Sequence, residues 1–304
     1  MKQRKWYRKK RFWVLNLFLI YLISIQFEWA KNRYYPSELI QQIEQQTNIK
    51  PYLETKIETK TVDSQQVQYL KLSRSKSSPV LLLVHGSPGS LTAYADYYLD
   101  EDLLKQFTII AVDRLGFGYS DFGKSEGNLT NQAKVIAAIL KDYPTQIKIL
   151  VGHSMGGPVI AKLAMDYPYL VDGLLMIAPS ISPELEPSNT WRKVLNILPI
   201  RLLTPAALRI CNQEIIPLYS ELTKMLPDWK KIKIPVTVVQ GEADALVPQG
   251  NADFAKRVLV NSPKVHLHKI KAGNHFILWS EVELIKLKIR DLLSEILSNR
   301  GIWD

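Results

Sequence analysis

The chain has 304 residues, 46% hydrophobic and 22% charged. That suffices for one large hydrophobic core and argues against extensive disorder or two independent enzymes. Its formal net charge is +10, but Lys2, Arg4, Lys5, Arg8, Lys9, Lys10 and Arg11 carry seven of those charges, leaving a body of only about +3. A body so near neutrality lacks the electrostatic footprint of a nucleic-acid-binding protein, and no such motif occurs in it.

The basic stretch leads into residues 12–30, FWVLNLFLIYLISIQFEWA, a mostly apolar run. As a helix at ~1.5 Å per residue it would be about 28 Å long, nearly enough to cross a bilayer. Residues 1–34 are therefore read as a basic N-terminus plus an uncleaved signal anchor. Two other readings stay open, a cleaved leader and a peripheral or buried amphipathic helix. Glu28-Trp29-Ala30 weighs against cleavage, because a peptidase site wants small residues. The cations before the segment outnumber Lys31 and Arg33 after it, which predicts a cytoplasmic N-terminus. The expected location is a single-pass membrane protein with the body of the chain on the far side, or a secreted one if the segment is cleaved. Cys211 is the sole cysteine, so no intrachain disulfide can form, and it resembles neither a redox pair nor a metal ligand.

Residues 52–299 read as one α/β domain. Residues 55–61 and 66–72 form an opening hairpin turning at Asp63-Ser64. Short apolar runs at 80–84, 108–112, 148–151, 173–177, 235–239 and 265–270 have the character of strands buried on both faces. Helical spacing occupies 130–141, 158–165 and 281–297. Strand and helix in alternation predict a mostly parallel sheet with helices on both faces and ligands at the carboxyl ends of the strands. The interval 180–233 breaks this rhythm with Pro-bounded helical fragments and no good strand. Since it is long for a crossover, it reads as a helical cap inserted over the active end of the sheet.

Strand 148–151 runs into Gly152-His153-Ser154-Met155-Gly156 and then a helix, the context in which G-x-S-x-G lifts a serine hydroxyl above the sheet. A serine needs a base to become a nucleophile. Among five histidines, His275 follows the last strand at the carboxyl end of the sheet and can swing over Ser154. His153 lies within the elbow, His85 belongs to another loop, and His266 and His268 sit on a strand face, where such groups are not expected. The carboxylate that orients the base is Asp244, after strand 235–239, in preference to Glu242 and Glu184. The backbone N–H groups of Met155 and of Ser87, in His85-Gly86-Ser87-Pro88-Gly89-Ser90, are the candidate oxyanion donors. No metal or organic cofactor is implied.

Together with Asp113-Arg114-Leu115-Gly116-Phe117-Gly118-Tyr119-Ser120, these segments resemble the α/β-hydrolase superfamily over roughly residues 56–297. The likeness is to its capped branch of esterases, haloalkane dehalogenases, epoxide hydrolases and carbon–carbon bond hydrolases. Dehalogenases and epoxide hydrolases of that branch carry an aspartate at the elbow, so Ser154 implies acyl-serine chemistry. The expected activity is hydrolysis of a carboxylic ester or related acyl compound. Acyl transfer, amide or carbon–carbon bond hydrolysis at the same triad are alternatives, as is a ligand-binding or sensory protein without turnover. The expected partners are a small, apolar acyl substrate and, through the N-terminal segment, a membrane.

Overall fold

The structure, a computed structural model, describes residues 3–25, 33–46, 54–187, 192–194, 197–198 and 200–301. Strands β1 (Glu54–Val62) and β2 (Gln65–Ser73) pair antiparallel in register from Glu54 opposite Ser73 to Val62 opposite Gln65. The two turn residues, Asp63 (φ 48°) and Ser64 (φ 67°), both occupy the left-handed region, which matches the twist of a tight hairpin. β2 then pairs antiparallel with β4 (Thr108–Val112). The remaining strands, β3 (Val80–Val84), β5 (Lys148–His153), β6 (Gly173–Ile177), β7 (Val236–Gly241) and β8 (Val265–Ile270), join β4 in parallel. The eight-stranded order is β1-β2-β4-β3-β5-β6-β7-β8.

The apolar runs are continuous because the central strands serve two cores at once. Val80, Leu82 and Val84 of β3 face one core, where Ala133, Ile136, Val159 and Phe254 of helices Leu129–Leu140, Gly156–Asp166 and Gly250–Val258 pack. Leu81 and Leu83 face the other, filled by Leu39 and Ile43 of helix Pro36–Gln46 and by Ile285, Ile289, Leu292 and Ile296 of helix Val282–Asn299. Alternation of side chains along a strand thus sends neighbours to opposite layers. Burial of both faces is the main stabilising term, at ~25 cal/mol per Å² of apolar surface.

Between β6 and β7 the described residues form short helices, among them Ile200–Leu203, Ala206–Ile215 and Leu218–Met225, with no strand. Helix Pro36–Gln46 lies outside both ranges that the sequence marked as structured.

The expected membrane-spanning helix needs correction. A helix does form over Gln3–Ser24, but no helix among the described residues is long and apolar enough to cross a membrane. The physical reason lies in its first half: Arg8, Lys9, Lys10 and Arg11 fall within the helix, so any window of spanning length includes them. The apolar remainder, residues 12–24, is about 20 Å long at ~1.5 Å per residue, against a hydrocarbon layer of about 30 Å. Glu28-Trp29-Ala30, the expected obstacle to cleavage, and Lys31 lie outside the described residues.

Candidate active site

Ser154 sits where β5 gives way to helix Gly156–Asp166, with φ of 52°. A side chain in that region is strained by roughly 1–3 kcal/mol. Two close approaches hold it there. A Cβ on Gly152 would fall 2.5 Å from Gly156 O, and one on Gly156 would fall 2.2 Å from Val84 O, so only glycine lets the turn pack against β3. Ser154 N donates to Ile177 O (2.9 Å), and Ser154 O accepts from Gly157 N (3.0 Å).

His275 lies in the loop after β8, its Nε2 3.0 Å from Ser154 Oγ and its Nδ1 2.8 Å from Asp244 Oδ2. Since an ionised carboxylate only accepts, Nδ1 carries a proton and Nε2 is left as the acceptor facing the hydroxyl. Asp244 is fixed in turn: Oδ1 accepts from Leu246 N (2.9 Å) and Val247 N (2.8 Å). Burial pushes its pKa up, but the His275 hydrogen bond and these amides outweigh burial and hold it below the ordinary carboxylate value.

The other candidates sit elsewhere. Glu242 is exposed, and Glu184 is exposed and paired with Arg257 (2.8 Å). His266 bonds Glu295 (2.8 Å) beside His268 on the strand face. His85 is fully buried and accepts from Arg114 N (2.9 Å). His153 lies against His275, with Nε2 3.1 Å from His275 O.

Ser87 and Met155 line the same cavity as Ser154 and His275, and among the described residues neither amide has a protein acceptor. That cavity, of about 220 Å³, is walled by Leu185, Cys211, Ile215 and Leu218 from the segment between β6 and β7, and by Val247. A second cavity of about 420 Å³ also touches Ser154 and His275 and is lined by Phe276 and Trp279. Among the described residues no cluster of His, Cys, Asp or Glu is arranged to hold a metal ion.

Two features escaped the sequence. Asp113 is fully buried, accepting from Leu91 N (2.8 Å), Tyr119 N (3.0 Å) and Tyr34 Oη (2.9 Å). Arg114 meets Glu214 in the interior. The motif around Arg114 was visible, but nothing in the spacing of residues 180–233 distinguished Glu214.

A family model described as the alpha/beta hydrolase fold matches residues 79–210. An uncharacterized protein of Mycobacterium tuberculosis is 32% identical over 102 residues, 34% of this chain and 29% of that protein, so the match spans under a third of that protein's length. The 2-hydroxy-6-oxononadienedioate/2-hydroxy-6-oxononatrienedioate hydrolase of Burkholderia vietnamiensis is 24% identical over 254 residues, 70% of this chain and 86% of that protein. Among solved structures, a membrane phospholipase A described as a bacterial virulence factor superposes with a TM-score of 0.61 at 19% identity, covering 94% of this chain and 99% of that one. A peroxisomal α/β-hydrolase of Saccharomyces cerevisiae gives 0.63 at 15% identity, covering 82% and 91%.

Proposed function

We propose, from the premise that the chain belongs to the α/β-hydrolase superfamily, that it is a serine hydrolase cleaving a carboxylic ester or related acyl compound. The observation that carries this reading is the unbroken hydrogen-bonded line from Ser154 Oγ through His275 to Asp244, at 3.0 and 2.8 Å. Ser154 Oγ attacks the acyl carbon as its proton passes to His275 Nε2, and Asp244 holds the tautomer and steadies the imidazolium. The N–H groups of Ser87 and Met155 stabilise the oxyanion, assisted by the positive end of helix Gly156–Asp166. Collapse expels the alcohol, which takes the proton from His275. Water, deprotonated by the same base, then releases the acid from the acyl-serine.

Residues 52–299 form the hydrolase domain in this reading, with the 180–233 segment as its cap. The apolar side chains of Leu185, Ile215, Leu218 and Val247 suit an apolar acyl group. The test is turnover of p-nitrophenyl esters of increasing chain length by wild type and Ser154→Ala, with fluorophosphonate labelling of Ser154. Loss of both activity and labelling in the alanine variant supports the reading, and unchanged activity overturns it. Ligand-induced stabilisation without labelling or turnover in wild type supports the sensory alternative instead.

A second reading, hydrolysis of an oxo-dienedioate at the same triad, is favoured by the substrate named for the Burkholderia relative, which matches 70% of this chain. Parallel turnover of a simple ester and an oxo-dienedioate separates the two.

A further inference from the structure

The proposed chemistry leaves one buried ionic group without a role. Arg114 follows β4 and is 1% exposed. Its backbone N–H donates to His85 Nε2 (2.9 Å), its Nε–H to His85 O (2.8 Å), and its Nη2–H to Gly86 O (3.0 Å). The opposite edge of the guanidinium meets Glu214, on helix Ala206–Ile215 of the segment between β6 and β7. Nη2 donates to Glu214 Oε2 (3.0 Å), and Nη1 donates to Glu214 Oε1. Gln132 closes the group, accepting from Arg114 Nη1 (2.8 Å) and donating to Glu214 Oε1 (2.9 Å). Both charged side chains are fully enclosed.

Because His85 Nε2 accepts from Arg114, the ring proton is on Nδ1, which donates to Gly86 O at 2.7 Å. Burial and the adjacent guanidinium hold the pKa of His85 well below its ordinary value, so the ring stays neutral and this tautomer persists. Two donors, Arg114 Nη2 and His85 Nδ1, therefore converge on the Gly86 carbonyl. The Gly86–Ser87 peptide is planar and trans, so its C=O and N–H point in opposite directions. Fixing Gly86 O on the Arg114 side therefore fixes the direction of the Ser87 N–H. Two hydrogen bonds to the carbonyl also polarise the peptide and strengthen that N–H as a donor.

We propose that Glu214 and Arg114 are positioning residues for the oxyanion donor: the carboxylate on the inserted segment holds the guanidinium that sets the Gly86–Ser87 peptide plane. This inference rests on the serine-hydrolase reading above. It makes seating of the inserted segment a condition for a complete oxyanion site, since Glu214 belongs to that segment and Gly86 to the loop after β3. Stability alone does not account for the pair, because a buried ion pair is often replaced by apolar residues of similar volume without loss.

The experiment compares wild type, Glu214→Gln, Arg114→Lys and the double variant Arg114→Met with Glu214→Leu. The lysine keeps a cation for Glu214 but lacks the fork that reaches both carbonyls. The double variant removes both charges while filling the space, so it leaves no unpaired guanidinium if Glu214→Gln fails to fold. With p-nitrophenyl butyrate, kcat is expected to fall about 10- to 100-fold in every folded variant with KM within about threefold, as for loss of a transition-state donor. Inhibition by an alkyl boronic acid, whose tetrahedral serine adduct places a negative charge in the oxyanion site, weakens in parallel with kcat/KM. The acid limb of the pH–rate profile stays in place, because His275 and Asp244 are untouched. A double variant or Arg114→Lys with wild-type melting and kcat within twofold overturns the inference, as does a rise in KM with kcat unchanged. Wild-type protein that neither turns over esters nor is labelled at Ser154 overturns the serine-hydrolase reading and this inference with it.

Discussion

His153 grips the backbone of His275: its Nε2 lies 3.1 Å from the His275 carbonyl oxygen, and the two rings stand 4.9 Å apart, centroid to centroid. A carbonyl only accepts, so the His153 Nε2 carries a proton and the turn around Ser154 anchors the loop that bears His275.

Burial, followed by the neighbouring His275, lowers the pKa of His153 to about 4, against 6.5 for the free side chain. The unfolded chain therefore binds more protons than the folded one between pH 6.5 and 4, and this contribution is complete above 6.5 and lost as pH falls toward 4. At ~1.4 kcal/mol per unit it is on the order of 3 kcal/mol. Asp113, raised to about 6 by burial, has the opposite slope below pH 6, so only a difference isolates His153. Urea melts of wild type and His153→Gln at pH 7 and pH 4.5 are expected to show a gap that narrows at the lower pH. A gap constant with pH contradicts the assignment.

Asp244→Asn retains the shape of the carboxylate but offers an amide that cannot replace both acceptor oxygens. The Asn side chain favours the wrong imidazole tautomer, so kcat is expected to drop about 10³- to 10⁴-fold. Steady-state kinetics with circular dichroism distinguishes this from unfolding.

Gly118 adopts φ of 50°, and a Cβ there would lie 2.0 Å from Asp113 Oδ2. Gly118→Ala must therefore displace the carboxylate that binds Leu91 N, Tyr119 N and Tyr34 Oη. A loss of about 3 kcal/mol is expected, a melting-temperature decrease of roughly 5–10 °C by calorimetry.

Cys211 is buried against the cavity, and burial raises its thiol pKa. Reaction of the native protein with a disulfide reagent at pH 7.5 is expected to be at least about tenfold slower than in urea, followed by thiolate release. Equal rates would place the thiol at the surface.

Much of this molecule was legible in one dimension. Strand character at 80–84 or 173–177 is a local property, because a strand buried on both faces needs an apolar residue at every position. The turn at Ser154 was only partly local: Gly152 relieves a contact with Gly156 O within the turn, whereas Gly156 makes room for Val84 O of the neighbouring strand β3. Ser154, Asp244 and His275 follow β5, β7 and β8 at their carboxyl ends, a placement readable from the alternation of strand and helix. β5 continues two residues beyond its expected end, to His153, because pairing with β6 extends it past its apolar run.

Sequence alone determined the strand and helical patterns and the glycine-flanked turn at Ser154, since each depends on residue type at short spacing. Tertiary structure decided what distance along the chain conceals. It set the 3.0 and 2.8 Å contacts between residues over thirty positions apart and the burial of Arg114 against Glu214, 100 positions away. It also decided that the N-terminal helix includes its basic cluster instead of beginning after it. Helical periodicity records which faces are apolar, but which partner meets a buried charge depends on packing between segments that share no local pattern.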